Sequence, residues 1–229
     1  STVWTANEAS RFWKTLPVHF GIHNVYVTKD DEYVVAGLAK NPDTVDEPTI
    51  QVIDASTDEI AFGVPLDGHR VRPMAIESNS DGSPKRIFAQ GTRLNGFFVV
   101  DWDQRKAVDF VSPPTLPISQ QNFDGIQEGV GHGLQVLPDG SALWYASRLD
   151  SRVYAWALPS LEFMGGIEVG PSPQWLTATP DSQTLYVSMV GSMETVAVNT
   201  RTHEIIARIP VGFGPKRNST HVLPVAAAR

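Results

Sequence analysis

The sequence contains no cysteine. Disulfides, zinc–thiolate sites and cysteine nucleophiles are therefore excluded. No apolar run approaches the roughly 20 residues that a membrane-spanning helix needs. There is no basic excess: 18 Lys and Arg stand against 25 Asp and Glu, a formal charge of −7. A chain of that sign lacks the general basic face that nucleic acid or an anionic membrane selects, so neither is expected as a partner. No G-x-S-x-G, H-x-H or H-E-x-x-H occurs, which removes the usual signatures of serine hydrolases and helix-borne zinc sites. The Gly-containing corners are not followed by helical patterns, so they are turns rather than phosphate loops.

Proline and glycine, by contrast, are plentiful (17 and 18) and evenly spread over 229 residues. That distribution fits many short strands joined by turns. One stretch, residues 166–212, shows the unit. A strand at 175–179 is followed by Pro-Asp-Ser. Further strands are expected at 184–188, 195–199 and 204–211. Laid against this unit, the chain resolves into repeats. Residues 2–18 match 195–211 without a gap and form a half unit. Full units follow at 23–68, 72–112, 132–170 and 174–212. Residues 218–224, NSTHVLP, repeat only the first strand, and 113–131 is an inserted loop rich in Pro, Gln and Gly. Four short strands in about 40–50 residues, with a turn after the first, are a propeller signature. Asp81-Gly82 and Asp139-Gly140 supply tight turns. In the first strands Val25 and Val27, Met74 and Ile76, Leu134 and Val136, and Leu176 and Ala178 alternate at period two, and each pair is expected to bury against a neighbouring sheet.

The phrases TLYVS (184–188), ARIPVGFGPKRN (207–218) and GHGLQVLPDGSALWYAS (131–147) resemble the YVTN-type β-propeller repeat proteins, an exported bacterial and archaeal family related to surface-layer propellers. The resemblance implies an all-β propeller of four-stranded blades and a periplasmic or extracellular location. A chain that opens at Ser1 is what a processed exported protein would show. Family members carry six or seven blades, and about five are represented here. The expectation is one propeller domain over residues 1–229, completed to a larger ring by a second chain that also covers an otherwise open strand edge.

In a propeller the loops entering each first strand share one face with the corners between second and third strands. The residues that open the first strands are His23, Arg72, His132, Gln174 and Asn218. Nearby loops add His19, His69, Arg70, Lys216 and Arg217. The corners Thr92-Arg93-Leu94-Asn95 and Ser147-Arg148-Leu149-Asp150 repeat a phrase and place Arg93 and Arg148 on the same face. Arginine forks donate paired hydrogen bonds to carboxylate or phosphate. An acidic protein that gathers Arg72, Arg93, Arg148, Lys216 and Arg217 at one mouth is suited to an anionic small molecule or a partner protein. The competing reading pairs each Arg with an acid such as Asp150 or Glu77.

His23 and His132 also raise a metal site, with His69 and Glu128 as further ligands. Imidazole-rich ligation favours copper or zinc, and copper-centred propellers gather histidines from several blades. The corresponding activity is a metal-dependent oxidoreductase or lyase; a purely structural scaffold is a third reading. His203, in the turn Thr-Arg-Thr-His-Glu, is expected to be solvated. Trp4, Trp13, Trp102, Trp144 and Trp156 fall on strands and read as core. Trp175 follows Gln174 on the face opposite Leu176 and is a candidate to stack on a ligand.

Overall fold

The computed structural model describes residues 2–7, 12–18, 21–124, 126 and 129–221. The chain is an all-β β-propeller protein, with four four-stranded antiparallel sheets of the blade type and one two-stranded sheet. It divides into two compact units, Ser1–Thr115 with Glu128–Val130, and Leu116–Gln127 with Gly131–Arg229.

The first unit opens with a hairpin of β1 (Thr2–Asn7) and β2 (Phe12–Pro17), paired from Thr2 with Pro17 to Asn7 with Phe12. This is the half unit read at 2–18. One blade follows: β3 (Ile22–Val27), β4 (Tyr33–Leu38), β5 (Ile50–Asp54) and β6 (Glu59–Val64). The next comprises β7 (Val71–Ser78), β8 (Pro84–Gly91), β9 (Phe97–Asp101) and β10 (Lys106–Val111). Strands two and three of each blade are buried almost throughout, so they read as continuous apolar runs. The fourth strands are the most exposed of each blade. Val35, Ile50, Val52 and Val64 pack with Val71, Met74, Ile87 and Val100 in one cluster. Each such side chain contributes about 1.5–3 kcal/mol on leaving water. Trp102 closes the cluster edge-on to Tyr33 (5.1 Å) and Phe62 (5.2 Å).

The second unit carries a short 3₁₀ turn, Ile118–Gln120, inside the inserted loop. Its first blade is β11 (Gly131–Val136), β12 (Ala142–Ser147), β13 (Arg152–Ala157) and β14 (Phe163–Glu168). Its second is β15 (Pro173–Ala178), β16 (Thr184–Met189), β17 (Glu194–Asn199) and β18 (Ile205–Pro210). Trp144, Ala146 and Val153 pack with Leu176, Ala178, Leu185 and Val187. The turns are those read from the sequence. Gly82 and Gly140 take φ of 93° and 74°, and the carboxylates of Asp81 and Asp139 accept the N–H and hydroxyl of Ser83 and Ser141.

Three expectations need correction. Val25 and Val27 are not buried but 46% and 59% exposed. On β3 the inward positions are instead Asn24 and, half-buried, Tyr26, which accepts the Met74 N–H and the Asn24 amide, each at 3.2 Å. Val25 keeps the register position of Met74 and Leu176, and it is the face it lies on that is uncovered, while Tyr26 on the other face reaches across to β7. His203 is half-buried, its ring 5.0 Å from that of Trp144. Trp144 and Trp156 are core, as read; the side chains of Trp4 and Trp13 lie outside the description. Residues 218–221 form no strand. They hold to β15 and β16 through Asn218 Nδ2 to the Tyr186 carbonyl (3.1 Å) and Thr220 Oγ1 to the Ala178 carbonyl (2.6 Å). The rest of that phrase, 222–224, lies outside the described residues.

Candidate anion-binding site

All four blades break register at the same place, the opening of the first strand. On β3 the pairing passes from Ile22 to Asn24 and leaves His23 extra. On β7, Arg72 and Pro73 oppose Gln90 alone. On β11, His132 and Gly133 oppose Ala146, and on β15, Gln174 and Trp175 oppose Ser188. These are β-bulges, which re-aim a side chain and recur beside functional sites. The polar positions that the repeats align are thus the bulged ones. His132 and Gln174 are buried, while His23 and Arg72 are half-buried.

In the first unit a cavity of about 280 Å³ is lined by Asn41, Gly68, His69, Arg70, Thr92 and Arg93. Two segments supply most of it. Residues 66–69 form a tight turn in which the His69 N–H donates to the Leu66 carbonyl at 2.8 Å. Asp67 and Gly68 both take positive φ, 47° and 77°, as the central pair of a type I′ turn does. Asp-Gly is the sequence that tolerates this. The turn delivers His69 and Arg70 to the head of β7. The other segment is the corner after β8. Buried Gln90 braces it by donating to the Gly91 and Leu94 carbonyls at 2.5 and 3.3 Å. The Thr92 N–H and hydroxyl donate to the Arg70 carbonyl at 3.3 and 3.4 Å. The Val130 N–H donates to the Thr92 carbonyl at 3.1 Å. Turn and corner are therefore fixed to each other through backbone, and Arg70 and Arg93 share one cavity.

Their charges are uncompensated among the described residues. The Arg70 Nη1 makes one long contact, 3.5 Å to the Ala39 carbonyl, and its buried Nε has no hydrogen-bond partner. Arg93 is exposed. Among the described residues no carboxylate pairs with either, and none stands in the lining. Glu77 is taken by Arg86 (2.5 Å) and Lys85 (3.3 Å) rather than by Arg72. The His69 ring packs against Phe98, centroids 5.8 Å apart. The cavity can receive an anion through two guanidinium forks with imidazole, amide and hydroxyl groups beside them.

The second unit holds the other expected residues. His132 lies 5.9 Å from Trp175, ring to ring, and the Arg217 guanidinium sits 5.1 Å over the Trp175 ring. Asn218 bonds to β16 as above, Lys216 is exposed, and Arg148 is buried near buried Asp150 in the corner after β12. Of the four candidate metal ligands, His23 and His69 fall in the first unit and His132 in the second. Glu128 lies outside the described residues, as does His19. Among the described residues no three His, Asp or Glu stand close enough to hold a metal ion. Asn41 and Gly68 were missed by sequence reasoning. Asp67-Gly68 is a turn signal in its own right, whereas nothing marks Asn41.

No protein-family model matches the chain, and no curated protein matches it in sequence. Solved structures do. A hydrazine synthase of Kuenenia stuttgartiensis matches with a TM-score of 0.63 at 13% identity, over 83% of this chain and 49% of that one. A 6-phosphogluconolactonase-like protein of Bacteroides uniformis matches with a TM-score of 0.69 at 15% identity, over 92% of this chain and 64% of that one. The chain thus spans about half and just under two thirds of these proteins. At such identities the likeness is one of fold, and propellers host unrelated chemistries.

Proposed function

We propose that this is an exported propeller protein, periplasmic or extracellular, that binds an anionic small molecule in the cavity of the first unit. The observation that carries the reading is the joining of Arg70 and Arg93 in one cavity without a carboxylate partner among the described residues. Paired arginines are ordinarily braced by acids when their role is structural. Here the bracing is done by backbone and by Gln90, and the forks are left over. Rigid strands with the recognition groups on their connecting loops are the usual layout of a binding site. Calorimetric titration with a panel of small anions tests it. Binding is expected to weaken about 10- to 100-fold in Arg70→Ala and in Arg93→Ala, since each removes a charge-assisted hydrogen bond of roughly 1.5–3 kcal/mol. Affinity unchanged from the wild type in both variants sinks the proposal.

A second reading, that another chain completes the ring, is favoured by the exposed Val25 and Val27. The equivalent residues of β7 and β15, Met74 and Leu176, are buried. Among the described residues β1 pairs with β2 alone. A strand supplied beside β1 would cover the apolar face of β3.

A further inference from the structure

Resting on the anion-binding reading, we infer that the ligand of this cavity is a phosphomonoester of a small polar molecule rather than a carboxylate. The argument is one of donor number and direction. A planar carboxylate is satisfied by a single guanidinium fork, which meets both of its oxygens. The cavity offers two forks, from Arg70 and Arg93. It adds the Asn41 amide from the segment after β4 and the His69 ring from the turn before β7. The donors come from three separate segments, so they converge from different directions. Three terminal oxygens arranged tetrahedrally, with up to two negative charges, use such a set; two coplanar oxygens with one charge leave a fork idle and a positive charge unmatched.

Size and lining bound the rest of the ligand. About 280 Å³ is just below the range of ligand cavities, which run from roughly 300 to 1,000 Å³, so the ligand is small. No Trp, Tyr or Phe is among the described lining residues, and the His69 ring is already packed against Phe98. A phosphorylated polyol or sugar fits these limits better than a nucleotide.

The test compares ligands that share a carbon skeleton. Ribose 5-phosphate, ribonate and inorganic phosphate are titrated calorimetrically at fixed ionic strength into the wild-type chain, Arg70→Ala and Arg93→Gln. Arg93 is exposed, so its replacement spares the core, and circular dichroism checks both variants. The expected result is that ribose 5-phosphate binds at least 10-fold tighter than ribonate, loses at least 10-fold in each variant, and shows a shifted ³¹P resonance when bound. Ribonate binding as tightly as ribose 5-phosphate, with the same dependence on Arg70 and Arg93, overturns the phosphate inference and leaves the anion-binding reading standing. Inorganic phosphate binding as tightly as the ester overturns the ester assignment. Affinities that neither substitution changes overturn both.

Discussion

Gly133 and Gln174 meet backbone to backbone: a Cβ placed on Gly133 would lie 2.1 Å from the Gln174 carbonyl oxygen. The contact lets β11 and β15 approach closely where both bulge, and it carries Trp175 to within 5.9 Å of His132. Neither side can give way cheaply, because the obstacle is a carbonyl in a strand. Gly133→Ala is therefore expected to destabilise the second unit by about 1–3 kcal/mol, the usual cost of overpacking. A lowered midpoint in urea unfolding followed by Trp fluorescence checks it; an unchanged midpoint would show that the two strands stand further apart.

The Tyr154 hydroxyl donates to the Asp150 carboxylate at 3.0 Å, with both residues buried. Burial, then the negative charge of Asp150, then this hydrogen bond push the Tyr154 hydroxyl well above its ordinary value of 10.0. The unfolded chain therefore loses this proton at lower pH than the folded one. The contribution is whole below pH 10 and declines as pH rises through and beyond 10, by at most about 1.4 kcal/mol per pH unit. Tyr154→Phe is expected to cost roughly 1.5–3 kcal/mol at pH 7 and to fall off less steeply than the wild type above pH 10. Parallel stability–pH curves for the two proteins would refute it.

Strand positions were legible because short apolar runs recur in a repeated phrase and Asp-Gly turns punctuate it. The half unit at 2–18 and all sixteen blade strands lie close to where the repeats put them. The bulged positions were also legible, because the repeats align His23, Arg72, His132 and Gln174. What they do there was not. A bulge turns its side chain by an amount that pairing partners set, so His132 is buried while His23 is half-buried. Arg93 and Arg148 share a phrase yet part company: one is exposed in a cavity and the other buried beside Asp150. The exposure of Val25 and Val27 was not legible, because they are as apolar as their counterparts and Val25 holds the same register position as Met74; what differs is that their face lies open to solvent.

His203 has its pKa lowered by burial, against the edge of Trp144. The unfolded chain therefore takes up this proton at higher pH than the folded one. The stability it contributes is present above the ordinary histidine value of 6.5 and is lost as pH falls below it. Substitution His203→Asn, which keeps a residue tolerant of the positive φ of 58°, is expected to flatten the decline in stability between pH 7 and 5. Unfolding midpoints across that range check it, and an equally steep decline in the variant would place the acid sensitivity elsewhere.

Val25 and Val27 project from β3 into solvent, 46% and 59% exposed, whereas Met74, Leu176 and Ala178 at matching positions are at most 5% exposed. A strand laid beside β1 by a second chain would bring β3 to the state of its counterparts, each covered Val contributing up to about 1.5 kcal/mol. The particle purified without denaturant is then expected to exceed the 25.0 kDa of this chain in light scattering. Val25→Asp with Val27→Asp should return it to that mass without unfolding it, because both side chains face water in the isolated chain. A particle of 25.0 kDa at every concentration, with the double substitution changing nothing, would mean that the face is simply solvated and that β3 takes no partner there.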